Sequence, residues 1–118
     1  MTTLVEDIQT LLSTLAPAGG VWYGINTTEP PTYPFIVWQR VVSSPNVGLG
    51  GPSDQQNTRI QVDIFSTRIQ EATAIETALE AVFAATSIVN VPLSSQDMYE
   101  DTIRAFRVSK DYSVWAVN

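Results

Sequence analysis

The chain predicts an α+β fold: a mostly antiparallel β-sheet with two α-helices packed on one face. Three observations carry this. Thr58 to Phe65 alternates strictly, with Ile60, Val62 and Ile64 pointing one way and Arg59, Gln61 and Asp63 the other. Ile69, Ala72, Ile75, Leu79, Val82 and Phe83 then recur at helical spacing. An earlier helical stripe, Leu4, Ile8, Leu11, Leu12 and Leu15, opens the chain. Short loops between consecutive strands favour antiparallel pairing, and two amphipathic helices suffice to cover one side of such a sheet.

Taken in order, the first helix has a capping box in Thr3 and Glu6, acidic residues Glu6 and Asp7 in its first turn, and Pro17 with Gly19-Gly20 at its end. Val21-Trp22-Tyr23 reads as a short strand. Thr27 to Pro34 carries Pro30, Pro31 and Pro34, which cannot donate to a ladder, and reads as a connection. Phe35 to Ser43 is β-branched and aromatic and reads as a strand. Residues 44–57 hold Pro45, Asn46, Gly48, Gly50, Gly51, Pro52 and Asp54 and read as a mobile loop. Ser66 or Thr67 caps the second helix, Thr67 and Gln70 fitting a second capping box. The helix fades by Ala85-Thr86. Residues 88–93 fit a short strand or an extended connection, and residues 94–101 a polar, acidic connection. Thr102 to Val108 and Tyr112 to Val117 read as a strand pair joined tightly through Ser109-Lys110-Asp111.

Bulk composition narrows the function. The 118 residues fit one domain, 1–118, able to bury roughly two-thirds of its unfolded surface. Net charge is −6, from 6 basic and 12 acidic residues, which disfavours both sequence-specific nucleic-acid binding and adsorption to an anionic membrane. No apolar run approaches the roughly 20 residues of a membrane span. Met1 to Leu15 lacks the basic start of a signal peptide and carries Glu6 and Asp7, so a chain made and used, or assembled, in a cytoplasm is expected. There is no cysteine and no histidine. That removes disulfides, thiolate nucleophiles, the usual general base and the commonest metal ligand. Serines have no histidine to activate them, and the single lysine, Lys110, falls in an expected turn rather than the buried setting a Ser-Lys dyad needs. Gly48-x-Gly50-Gly51 lacks the lysine and strand-to-helix context of a phosphate loop. No enzyme, cofactor or metal is expected.

Several pieces together resemble the tail-completion or tail-terminator proteins of long-tailed bacteriophages and prophages. They are Pro34-Phe35-Ile36-Val37-Trp38-Gln39-Arg40 with Ser43-Ser44, Arg59 to Phe65 leading into an Ala-rich helix, and Asp97 to Asp101 followed by Phe106-Arg107 and Asp111 to Trp115. The likeness lies in order and spacing over most of the chain. It implies a structural subunit that assembles into a homo-oligomeric ring, commonly a hexamer, at the head-proximal end of the virion tail. There the ring would end the tail tube and join it to a head-neck connector protein. A neck stopper or connector subunit is the alternative within phage assembly, and a small ligand- or peptide-binding module the alternative outside it.

Four sets of residues are candidates for that work. Arg59, Gln61, Asp63 and Phe65, joined by Trp115 or Trp38 according to register, lie on the sheet face that two helices leave bare; they make either a subunit interface or an ordinary solvated face. Asn46, Gly48, Leu49, Gly50 and Gly51 form an assembly loop, or a hairpin connection without a role. Asp97, Glu100 and Asp101 make a solvated connection or, in a ring, an acidic lumen that repels passing DNA; a carboxylate pair or hard-metal site is the remote chemical reading. Glu71, Glu76 and Glu80 read as a solvated helix face, or as a docking surface for a neighbouring subunit.

Overall fold

A computed structural model describes residues 3–28, 30–48 and 51–117, with the side chains of 42–48, 51–56 and 116–117 left aside. Helix α1 (Leu4–Ser13) is followed by strands β1 (Val21–Tyr23), β2 (Phe35–Gly48) and β3 (Gly51–Ser66), helix α2 (Ile69–Ala85), and strands β4 (Val89–Glu100) and β5 (Ala105–Val117). The strands form one sheet in the order β1-β2-β3-β5-β4. All neighbours are antiparallel except β1 and β2, which run parallel because residues 24–34 carry the chain back to the same end. The α+β architecture is the expected one; the parallel first pair is not.

The expected box caps α1: Glu6 N donates to Thr3 Oγ1 at 3.2 Å, and Thr3 N donates to Glu6 Oε1 at 3.4 Å. The box at Thr67 and Gln70 does not form. Arg68 is the N-cap of α2, and Ser66 Oγ instead accepts from Arg68 N at 3.1 Å and donates to Glu71 Oε1 at 2.7 Å.

Both helices pack on one side of the sheet. Ile8 and Leu12 of α1 and Ala72, Leu79 and Phe83 of α2 meet Ile36, Trp38, Ile60, Val62, Ile64, Val108, Tyr112 and Val114, all essentially removed from water. Each fully buried aliphatic side chain contributes about 1.5–3 kcal/mol, so the Ile60-Val62-Ile64 row alone anchors the layer. Trp38 belongs to this core: its Nε1 donates to Gln9 Oε1 at 2.7 Å, and Gln9 Nε2 donates to Val21 O at 3.0 Å, tying α1 to β1 and β2. Gly19 permits a close crossing, since a Cβ there would lie 1.8 Å from Thr32 O.

Three expected connections are strand. Residues 44–48 and 51–57 are strand rather than loop: Ser44, Pro45, Val47 and Gly48 pair with Asn57, Gln56, Pro52 and Gly51, which extends the β2–β3 pairing. Its prolines are tolerated because Pro45 borders a register shift and lies on a strand with no outer neighbour there, while Pro52 lies beyond the last β3–β5 pair, Gln55 with Val117. Asn46, Gly48 and Gly51 fall in this extension; Leu49 and Gly50 lie outside the described residues. Residues 89–100 are one strand, β4: 89–93 take the strand alternative, and 94–100 are strand rather than a polar connection. Ser109-Lys110-Asp111 is the middle of β5, laddered to Asp63, Val62 and Gln61, and the turn falls instead at 101–104, where Arg104 adopts φ 53°. At 51 × 27 × 26 Å the molecule is about as long as a 16-residue strand such as β3 at 3.3 Å per residue.

Candidate assembly interface

The face of the sheet away from the helices is read from the ladder. Phe35, Val37 and Gln39 of β2 stand level with Phe65, Asp63 and Gln61 of β3. These in turn stand level with Arg107, Ser109 and Asp111 of β5. Arg59, Gln61, Asp63 and Phe65 therefore share one face, as the alternation required, and Trp115 rather than Trp38 joins them.

This face is only partly bare. Gly24, Ile25, Asn26, Thr28, Pro31 and Ile103 border one end, leaving a cavity of about 480 Å³ whose walls include Tyr33, Phe35, Phe65, Asp63 and Arg107. Phe65 stacks on Phe35 at 4.8 Å, and Tyr33 leans on Phe35 at 5.3 Å. Asp63 is 6% exposed, not solvent-facing as expected. It accepts from Gln61 Nε2 at 3.2 Å and from Arg107 Nη2 at 3.0 Å, while Arg107 Nη1 reaches Glu100 Oε1 at 3.2 Å. Burial works against the Arg107 charge, but the hydrogen bonds and Coulomb attraction of Asp63 and Glu100 outweigh it and raise the guanidinium pKa above its usual value. The charges of Asp63 and Arg107 are thus spent within the chain. Farther along, Arg59 Nη2 meets Asp111 Oδ2 at 2.6 Å, with Arg59 still half exposed, and Gln39 and Gln96 face water.

Asp97, Glu100 and Asp101 are not brought together. Asp97 lies level with buried Val108, Glu100 lies on the opposite face of β4 and binds Arg107, and Asp101 is in the turn. Among the described residues no group of three metal-binding side chains converges. Glu76 and Glu80 are not a purely solvated face either. They reach Lys110 Nζ at 3.8 and 3.4 Å, and Glu71 lies 3.6 Å from Arg68. Lys110, misplaced in a turn by its polar neighbours, points from mid-strand toward α2 and is 6% exposed. Beside it, burial and the nearby Glu80 and Glu76 push the Tyr112 hydroxyl up to about 12, and that buried oxygen has no hydrogen-bond partner.

The outermost strand is legible in sequence only in its first half, where 88–93 fit a short strand or an extended connection. Along β4, Val89, Val91, Leu93 and Tyr99 are each about half exposed, and the strand has no neighbour on its outer side. A strand exposed on both faces leaves no burial period in sequence, so only its β-branched residues hinted at it.

These features describe a small α+β protein with its core on one side of the sheet and a polar, partly covered face on the other. The profile of tail completion protein gp17 matches residues 6–116. The chain belongs to the tail completion protein gp17 family. Membership places it among the structural proteins of the bacteriophage tail, as a component of the virion. The fold is also that of a chain in the virion of a native gene transfer agent particle, with a TM-score of 0.67 and 9% identity over 91% of this chain and 84% of that one. No curated protein sequence matches.

Proposed function

We propose that this tail completion protein forms a homo-oligomeric ring, in the likeness of a hexamer, that ends the tail tube and offers its other side to a head-neck connector protein. Membership in the tail completion family over nearly the whole chain is the observation that carries this reading. The fold supports it physically. A sheet sealed by helices on one side and only partly covered on the other, with open outer edges, has surface to offer neighbours in more than one direction. The action is geometric: a ring seated on the last tube layer removes the surface on which the next layer would grow.

Within that ring, Arg59 and Gln61 are the members of the open-face set left to meet another protein. Asp63 and Phe65 stiffen the face from beneath. The strand residues Asn46, Gly48 and Gly51, continuous with Leu49 and Gly50, reach the tube or the neck. Asp97 and Asp101, exposed and unpaired by any basic side chain among the described residues, add negative charge that keeps DNA moving if they line the lumen.

Purified protein added to tail tubes growing without a terminator tests this. Electron micrographs should show a ring at one end of each tube and a narrowed distribution of tube lengths. Tubes that elongate unchanged, with bare ends, would reject the reading.

A further inference from the structure

The sheet has two open edges, and they match. On one side β1 covers β2 only over Ile36–Trp38, so from Gln39 onward the outer edge of β2 has no strand beside it. The Arg40 amide there reaches nothing better than the Tyr23 hydroxyl, at 3.5 Å. On the other side the whole of β4 is an outer edge. A long, open, apolar edge is a template for another strand unless something covers it.

Three relations between the edges select a second copy of this chain as the cover. Direction comes first: successive antiparallel steps from β2 through β3 and β5 leave β4 running opposite to β2, so a neighbour placed side by side in the same orientation brings its β2 antiparallel to this β4. Height comes second. Following the ladder across the sheet, Gln39, Arg40 and Val42 stand level with Ser94, Pro92 and Val91, so the uncovered part of β2 meets residues 89–94 without sliding along the strand axis. A repeat with no axial slide is the kind that closes into a ring instead of winding into a filament. Chemistry comes third: Val41 on one edge and Val91 and Leu93 on the other are 46%, 47% and 48% exposed at this shared height. Beyond Ser94 the neighbour's β1 occupies the outer position, and the register shift between Pro92 and Ser94 lets β4 bend away there.

We propose that residues 89–94 of β4 pair with residues 39–44 of β2 in a second copy, joining the sheets of successive subunits head to tail. This deepens the ring reading by naming the contact between subunits, and rests on it only for closure.

The chain has no cysteine, so a paired substitution reports cleanly. Val41→Cys with Val91→Cys, oxidised in the presence of tail tubes and run without reductant, should give a ladder of linked subunits that stops at one ring size. Each single variant should give no product beyond a dimer. Val91→Lys, at an exposed position that leaves the fold intact, should lower the assembled fraction at least tenfold at equal concentration. If wild-type protein assembles while the double variant yields no ladder, the edge contact is wrong and the ring survives. A ladder on tubes that stay uncapped keeps the edge contact and overturns the terminating function. Protein that neither assembles nor cross-links overturns both.

Discussion

The helix-covered side of the sheet and its opposite side use the same strands for different ends. On the covered side, successive rows of Ile36, Trp38, Ile60, Val62, Ile64, Val108 and Val114 are sealed by α1 and α2. On the other side the same strands show Gln61, Ser109 and Asp111, held by side-chain hydrogen bonds and ion pairs that keep part of their surface in water, and Gln39, which is exposed. The first side stores the folding free energy. The second is rigid but weakly committed, which suits a subunit that must be folded before its neighbours arrive.

If the division is real, truncations should separate by side. Trp38→Ala should have the largest effect, destabilising by about 3–5 kcal/mol in chemical denaturation, because it removes a fully buried indole and orphans Gln9. Next comes Lys110, a buried charge on the covered side. Glu76→Gln with Glu80→Gln leaves Lys110 buried without a counter-charge and should cost about 2–4 kcal/mol, whereas Lys110→Met, filling the same space, should be nearly neutral or stabilising. Tyr112 gives a pH signature. Its folded-state value of about 12 lies above the ordinary 10.0, so between these the unfolded chain releases a proton that the folded chain keeps. Stability fully present below pH 10 should therefore decline as pH rises toward 12. Tyr112→Phe should flatten that decline and, by removing a hydroxyl without a partner, leave neutral-pH stability equal or slightly higher. The smallest effect belongs to the open side: Arg59→Ala breaks a half-exposed ion pair and should change stability by less than about 1 kcal/mol, yet weaken assembly measurably by sedimentation. A large stability loss there would erase the distinction between the sides.

The covered side was legible in sequence and the rest was less so, for a physical reason. Ile60, Val62 and Ile64, the two helical stripes and the Thr3–Glu6 box all write burial or capping into local spacing, and each is found where that spacing puts it. The pairing of 44–48 with 51–57 was hidden because Pro45, Gly48, Gly51 and Pro52 are breakers only where a ladder needs their amides or side chains, and at an outer edge it does not. The 94–100 half of β4 was hidden because both its faces are largely exposed. Lys110 was hidden because Ser109-Lys110-Asp111 looks like a turn when its partners in α2 and β3 are out of view. Trp38 and Trp115 could not be told apart until register assigned one to the core and the other to the open face.

Hydrogen exchange of the isolated and the tail-assembled protein tests the central claim most directly, since it reads the backbone of the edges themselves. The account predicts that the outward-facing amides of residues 39–44 and 89–94, those not bonded to β3 or β5, exchange fast in isolation and become strongly protected on assembly, with the buried rows of β3 slow in both states. Edges that stay fast in the assembled tail, while protection grows over α1 and α2, would contradict it.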